Sequence, residues 1–434
     1  MAGLVPLRHV VLARTIWHQL REKLTFEVEA FKIVVALRVG FILLAVLAWV
    51  LYPKDLSGVF SDFALPDFPV WHNRLLGMWG TWDASWYMQI ADQGYLADTN
   101  SLAFFPLYPL LVSLVGRLLG NSYLLAGLLI STVLAWASLV LLHRLVTFDF
   151  QPHLARRAVL YLCAFPVAFY LFAIYTEALY LVLVLLFFLM IRQRHQWWWA
   201  GLLAALAALT RSPGVLLIIP FAWEWSRYQL STVVLQPGTD TSFLWKAKLR
   251  ALLKPSALAL ALPLLVLLGW NVYQQLVLNV PADALLQAQA HWQRSFAWPW
   301  TTIVDGLRVF FSPGPAGLPI FSISWDMPKH LLDAVFLVLG LVSLAYACWE
   351  CWRRRLPFSY LLFMGTNILL PLLTPVRHEP VQSFPRFILV IFPIFILLAQ
   401  LSLRSRWWYY FSICTSVALQ ALLLARFANG FWVA

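Results

Sequence analysis

The chain has 434 residues, 62% of them hydrophobic and only 12% charged, whereas soluble domains are roughly half apolar and about a quarter charged. That balance excludes a water-soluble globule. The formal charge of +12 would suit a nucleic-acid surface, but the Lys and Arg lie in short clusters between apolar runs, so no nucleic-acid partner is expected and membrane topology explains them better.

The N-terminal stretch, with Arg8, Arg14, Arg21 and Lys23, is polar and basic before the first long apolar run. No cleavable signal peptide is therefore expected, and the first span should remain as an anchor. Judged against the roughly 20 apolar residues that cross a bilayer, spans are predicted near 31–52, 122–143, 157–173, 177–192, 197–210, 213–226, 256–279, 331–349, 358–374, 387–403 and 407–426, about eleven in all. The polar interruptions Tyr175-Thr176-Glu177 and Arg211-Ser212-Pro213 suit turns and divide what would otherwise be two long apolar segments. Trp71, Trp79, Trp197 to Trp199, Trp349, Trp352, Trp407 and Trp408 stand near the ends of runs, where amphipathic rings favour the headgroup layer. Residues 1–434 thus read as one all-α polytopic membrane domain.

Eleven spans with the N-terminus inside put the clusters Arg144/Arg156/Arg157, Arg192/Arg194, Lys246/Lys248/Arg250/Lys254, Arg353 to Arg355 and Arg404/Arg406 on the cytoplasmic side, as the excess of basic residues in cytoplasmic loops requires. Asp55, Asp62, Asp67, Asp83, Asp92, Asp98, Asp283, Asp305, Asp326 and Glu379 fall on the other side. Arg38 is left inside the first span. Polar chemistry is therefore expected at the extracytoplasmic face, in two long segments, 53–121 and 280–330; loops of that length are commonly functional.

In the first of these segments, Asp83, Trp86, Tyr87 and Ile90 recur at helical spacing until Gly94, which predicts a short amphipathic helix opening at Asp83. The stretch from Phe104-Phe105-Pro106-Leu107-Tyr108-Pro109 to Leu119 is apolar but too short to cross, and suits an interfacial or re-entrant helix. The cysteines, Cys163, Cys348, Cys351 and Cys414, read as small buried hydrophobes. Cys348 and Cys351 form a CxxC without the second pair a metal site needs, and neither a metal nor a cofactor is expected.

Trp82-Asp83-Ala84-Ser85-Trp86-Tyr87 with Ile90-Ala91 and Gly94-Tyr95, followed by Phe104-Phe105-Pro106-Leu107-Tyr108-Pro109, resembles the PIG-V mannosyltransferase family. The resemblance continues through Phe165-Pro166, Tyr175-Thr176-Glu177-Ala178-Leu179, Thr210-Arg211-Ser212-Pro213-Gly214 and Pro385-Arg386-Phe387 with Phe392-Pro393. The WD motif with FFPLYP after it is fairly specific; a lone Phe-Pro or Arg-Phe is not. The resemblance implies a GT-C fold, a polyprenyl-phosphate sugar as donor, an outward-facing site and an acidic residue in the first outer loop, where Asp83 matches.

Transfer of a sugar to a hydroxyl needs a base within hydrogen-bond reach of the acceptor proton, and Asp83 is the candidate. One-step inversion needs one such carboxylate, unlike the paired carboxylates of glycoside hydrolysis. Arg211, Arg386, Arg377 and His378, at outer span ends, are candidates to grip the donor phosphate. Trp82, Trp86, Tyr87, Glu177, His291 and Trp292 are candidate substrate contacts, with Trp298 and Trp300 as further rings for stacking on sugar. Each has a plainer reading: Asp83 as a helix-capping acid, Glu177 as a first-turn acid, the arginines as interfacial anchors, the rings as interfacial aromatics.

The expectation is an inverting glycosyltransferase moving a hexose, mannose first, from polyprenyl phosphate to a lipid, glycan or protein hydroxyl outside the cytoplasm. A prokaryotic cytoplasmic membrane is preferred over the endoplasmic reticulum, and a small partner subunit stays open. The rival is a polyprenyl-linked sugar transporter or flippase, although no inverted repeat is visible.

Overall fold

A helix that is apolar on every side belongs in the middle of a bundle, and the segment beginning EALYLVLVLLFFL has that character. In the computed structural model it forms the helix Glu177–Leu189, with all but Leu186 buried, continued by a π-turn over Met190–Arg194. The described residues are 5–51, 75–96, 100–233, 241–283, 287–288, 293–311, 327–377 and 379–433.

The helices in chain order are α1 (Val5–Leu51), α2 (Asp83–Gln93), α3 (Leu107–Leu118), α4 (Tyr123–Asp149), α5 (Pro152–Ala164), α6 (Glu177–Leu189), α7 (Trp197–Ala208), α8 (Ile218–Ser231), α9 (Thr241–Leu252), α10 (Leu262–Val277), α11 (Pro299–Phe311), α12 (Met327–Trp352), α13 (Phe358–Leu373), α14 (Phe384–Leu389), α15 (Pro393–Arg404) and α16 (Arg406–Ala428). Among the described residues no strand occurs; one isolated antiparallel bridge joins Arg294 to Val376. α6 packs between α4 and α7, α5 lies on α4 and α15, and α1 lies on α4 and α16. The chain is an all-α, multi-pass integral membrane protein.

Helix occupies each of the segments predicted to cross. Five among the described residues are long and apolar enough to cross singly: Thr25–Leu51, Tyr123–Asp149, Pro255–Val277, Leu331–Trp352 and Arg406–Ala428. The others are shorter, and α7, α13 and α15 are of this kind. The expected breaks at 175–177 and 211–213 are real ends of helix. α2 starts at Asp83 and stops before Gly94, whose φ of 80° and ψ of −169° only glycine adopts readily and whose N–H donates to the Ile90 carbonyl at 2.9 Å. α3 is the short helix expected after FFPLYP. It buries Tyr108, Val112 and Gly116 while Leu110, Leu114 and Leu118 line the opposite, exposed face.

Two expectations need correction. Trp79 is not an interfacial anchor: it is fully buried in a 3-10 turn, Gly77–Gly80, with the Arg38 guanidinium 5.0 Å from its ring centroid. Arg38 is held there by donating to the Leu128 carbonyl at 3.2 Å and to Thr132 Oγ1 at 2.5 Å, so the cation within the first span faces protein, as an intramembrane arginine must. Of the cysteines, only Cys163 is buried; Cys348 and Cys414 are exposed, and all are free thiols. Trp197 is likewise buried, packed on Phe221, whereas Trp198, Trp199, Trp352 and Trp407 are exposed, as anchoring rings should be.

Candidate active site

Several chain breaks meet at one end of the bundle. The Ile174 N–H donates to the Trp79 carbonyl at 3.1 Å, the Tyr175 hydroxyl to the Thr81 carbonyl at 3.0 Å, and the Leu107 N–H to the Leu209 carbonyl at 3.0 Å. These bonds tie the WD turn to the start of α6, and the FFPLYP segment to the end of α7. The loops that carry the motifs are thus fixed to one another by backbone groups that a helix end leaves unsatisfied.

Asp83 is the first residue of α2, entered from Trp82 at φ 61° with no side-chain cap. A left-handed tryptophan is uncommon and costs free energy, of order 1–3 kcal/mol. Asp83 does not cap its own helix: Oδ2 accepts from Arg386 Nη1 at 2.7 Å. Arg386 arrives in the same manner, on the short helix α14, entered from Ser383 at φ 64°. The buried N-terminus of α14 is completed by Asp333 of α12, whose Oδ1 accepts from the Phe384 N–H at 3.2 Å.

Arg386 is buried and Nε donates to Glu177 Oε1 at 2.8 Å; the same oxygen accepts from Arg211 Nη1 at 2.5 Å. Glu177 therefore ties two arginines together, while Tyr175 and Tyr170 lie 4.7 and 5.2 Å from the Arg386 guanidinium, within cation–π range. Arg211 is set by the turn Thr210-Arg211-Ser212-Pro213-Gly214, where the Gly214 N–H donates to the Arg211 carbonyl at 2.9 Å. A Cβ at Gly214 would lie 2.2 Å from the Ala207 carbonyl carbon, so only glycine lets this turn close on the end of α7.

A cavity of about 210 Å³ opens over this cluster, lined by Asp83, Tyr87, Phe104, Phe105, Thr176, Thr210, Arg211, Arg294, Gln382, Ser383, Arg386 and Trp432 among others. Three guanidinium groups and one carboxylate thus face the cavity, with the second carboxylate, Glu177, sealed behind them. The exposure of the two acids distinguishes them: Asp83 keeps 21% of its side chain exposed and Glu177 none. Tyr87 is pushed above the usual phenol range by burial and by the nearby charges of Asp83 and Glu177, so it stays a neutral donor at physiological pH. Among the described residues no group of three or more His, Cys, Asp or Glu converges to hold a metal.

The structure brings Asp83, Tyr87, Arg211 and Arg386 together on the cavity and sets Glu177 directly behind it. Others it does not place there. Trp82 packs edge-on against Trp432 at 5.1 Å, and Trp86 stacks on Phe104 at 5.7 Å, so each supports a lining ring instead of lining the cavity. Arg377 is exposed, with its N–H donating to the Gln293 carbonyl at 3.0 Å, and is absent from the lining. Trp298 and Trp300 stack on each other at 4.9 Å and are exposed. His291, Trp292 and His378 lie outside the described residues. Sequence reasoning missed Arg294, whose only signal was a basic residue near aromatics in the second long outer segment.

Residues 27–286 match the family model described as Mannosyltransferase (PIG-V). GPI alpha-1,6-mannosyltransferase 2 of Rattus norvegicus is 32% identical over 271 residues, 59% of this chain and 54% of that protein. The chain thus spans about half the length of that curated relative. Among solved structures, the Archaeoglobus fulgidus oligosaccharyltransferase tethered with an acceptor peptide superimposes with a TM-score of 0.43 at 14% identity, over 92% of this chain and 55% of that one. The same enzyme in complex with Zn and sulfate gives 0.42 at 12%, over 91% and 53%.

Proposed function

Because the chain belongs to the PIG-V mannosyltransferase family, we propose that it transfers a hexose, most directly mannose, from a polyprenyl-phosphate donor to a hydroxyl of a lipid, glycan or protein acceptor. The observation that carries this reading is the pairing of Asp83 with Arg386 at 2.7 Å on the wall of a cavity that Arg211 and Arg294 also line. A base and fixed cations then stand on one cavity, which is what the reaction requires.

In the proposed step the acceptor oxygen attacks the anomeric carbon while its proton passes to Asp83. The bond from that carbon to the phosphate oxygen breaks, and its electron pair leaves with the lipid phosphate. Configuration inverts because one displacement occurs. Asp83 is suited to the base role because one of its oxygens is oriented by Arg386, while the side chain remains partly exposed to the cavity. The guanidinium groups oppose the charge that develops on the departing phosphate, the preorganised electrostatic stabilisation on which such reactions mostly depend. The site is proposed to open on the extracytoplasmic face, since the basic clusters gather at the other side, and the compact loops favour a prokaryotic cytoplasmic membrane over the endoplasmic reticulum.

The test is transfer of radiolabelled mannose from polyprenyl-phosphate-mannose into lipid or glycan by the purified protein in liposomes, compared with Asp83→Asn. Transfer by the parent and its loss in a variant that still melts normally is expected. Movement of the intact donor across the bilayer without bond cleavage would replace the enzyme with a transporter.

A further inference from the structure

Of the three arginines on the cavity, two are already engaged. Arg211 is bonded to Glu177, and Arg386 to both Glu177 and Asp83. Arg294 has no carboxylate partner among the described residues; its Nη1 makes one long hydrogen bond, 3.4 Å, to the Thr374 carbonyl. Its surroundings are unfavourable to a cation. Burial, countered by Asp83 and reinforced by Arg386 and Arg211, draws its guanidinium below the usual arginine range. With three cations and two carboxylates, the cluster holds one positive charge in excess.

The position of Arg294 is built. The segments 293–297 and 373–377 run antiparallel: the Arg377 N–H donates to the Gln293 carbonyl at 3.0 Å, the Ser295 N–H to Pro375 at 3.4 Å and the Ala297 N–H to Leu373 at 3.0 Å. Arg294 pairs with Val376 in this short ladder, and Val376 lines the same cavity. The ladder fixes the second outer segment to the end of α13 and sets its arginine on the cavity that Asp83 also lines. Arg377 contributes through its backbone, on the outside of the same ladder.

We propose that Arg294 is the group that binds the phosphate anion in this cavity, while Arg211 and Arg386 serve mainly to hold Glu177 and Asp83. A phosphodiester carries one negative charge, which the single excess positive charge matches, and guanidinium presents the fork that phosphate oxygens accept. The proposal rests on the glycosyltransferase reading only in naming that anion as the lipid-linked donor. Free phosphate presents the same acceptor oxygens to the guanidinium fork.

Binding of dodecyl phosphate, inorganic phosphate and dodecanol to the purified full chain in an uncharged detergent, followed by calorimetry, separates these cases. The variants are Arg294→Gln, Arg294→Lys and Arg308→Gln, the last an exposed arginine of the same segment paired with Asp305. Dodecyl phosphate should bind the parent and Arg308→Gln alike, and bind Arg294→Gln about 10- to 100-fold more weakly, the loss expected for a charged hydrogen bond. Arg294→Lys, which keeps the charge and loses the fork, should lie between them and serves alone if the Gln variant does not fold. Equal binding by all variants would overturn the proposal, as would equal binding of dodecanol. Inorganic phosphate binding as tightly as dodecyl phosphate would overturn the lipid-donor assignment. Because binding is read without turnover, intact transfer with unaltered binding in Arg294→Gln sinks this inference alone, whereas Arg294-dependent binding without any mannose transfer by the parent sinks the transferase reading alone.

Discussion

Asp83 and Glu177 each open a helix, and each bonds to Arg386, yet their surroundings give them different work. Glu177 is sealed and shares one oxygen between two guanidinium groups. Replacing it with Gln leaves two buried cations short of a counter-charge, and breaking a buried pair typically costs about 3–5 kcal/mol. Glu177→Gln should therefore lower the melting temperature measured in detergent. Asp83 is different, because without it Arg386 still has Glu177. Asp83→Asn should melt close to the parent while mannose transfer falls about 10²- to 10⁴-fold, the usual contribution of a general base. A variant that lost stability and activity in parallel would make Asp83 structural. Tyr87, neutral because burial and the two acids raise its phenol, should not set the alkaline limb of activity: the raised direction keeps the proton on through the range where the ordinary phenol would lose it. Tyr87→Phe should therefore leave the position of that limb unchanged in a pH profile of transfer.

At the scale of the elements, the turns decide where these side chains stand. Gly214→Ala forces a Cβ against the backbone of Ala207 and Ala208, and overpacking of this sort costs about 1–3 kcal/mol; it should also displace Arg211 and reduce transfer. Gly269→Ala makes an instructive contrast, since a Cβ there meets nothing within 4 Å in the helix Leu262–Val277. By helix propensity it should be neutral to stabilising by up to about 1 kcal/mol, and thermal melts of the two variants should diverge in sign. The sequence disclosed these elements unevenly, for physical reasons. α2 was readable because Asp83, Trp86, Tyr87 and Ile90 repeat at helical spacing and Gly94 ends the pattern, and α6 because apolar residues surround it. The ladder between 293–297 and 373–377 carries no periodicity, so nothing local placed Arg294 near Asp83, far away in sequence. Glu177 was visible as a polar break, but its sharing between two arginines depends on α14 and the Arg211 turn arriving from distant parts of the chain. Likewise Trp79 looked like an end-of-span ring because sequence cannot show that Arg38 and Phe427 cover it.

For the molecule as a whole, the central segment Glu177–Arg194 carries a charged network at each end. One end holds Glu177. At the other, Arg192 donates Nε to Asp149 Oδ1 and Oδ2 at 3.0 and 2.9 Å and Nη1 to Glu224 Oε1 at 2.7 Å. Ser359 donates to the same Glu224 oxygen at 2.6 Å and the Tyr360 hydroxyl to Asp149. This second network joins α4, the π-turn after α6, α8 and the start of α13. At 1.5 Å per residue the two ends stand about 20–25 Å apart, most of the hydrocarbon thickness of a bilayer. Burying such charges costs several kcal/mol per ion unless all are paired, so the arrangement makes the ends of the central helix sensitive to any single loss. Arg192→Met alone should destabilise by about 3–5 kcal/mol, because Asp149 and Glu224 are left buried without their cation. Joined with Asp149→Leu and Glu224→Leu, the same change should recover much of that loss, a strong departure from additivity. The donor KM should stay at the parent value in every variant that folds, since the candidate cavity lies at the far end of the helix. Equilibrium unfolding in detergent beside donor KM tests both parts: a single variant as stable as the parent would leave the network without a holding role, and a shifted KM would mean that the two ends of the helix are coupled.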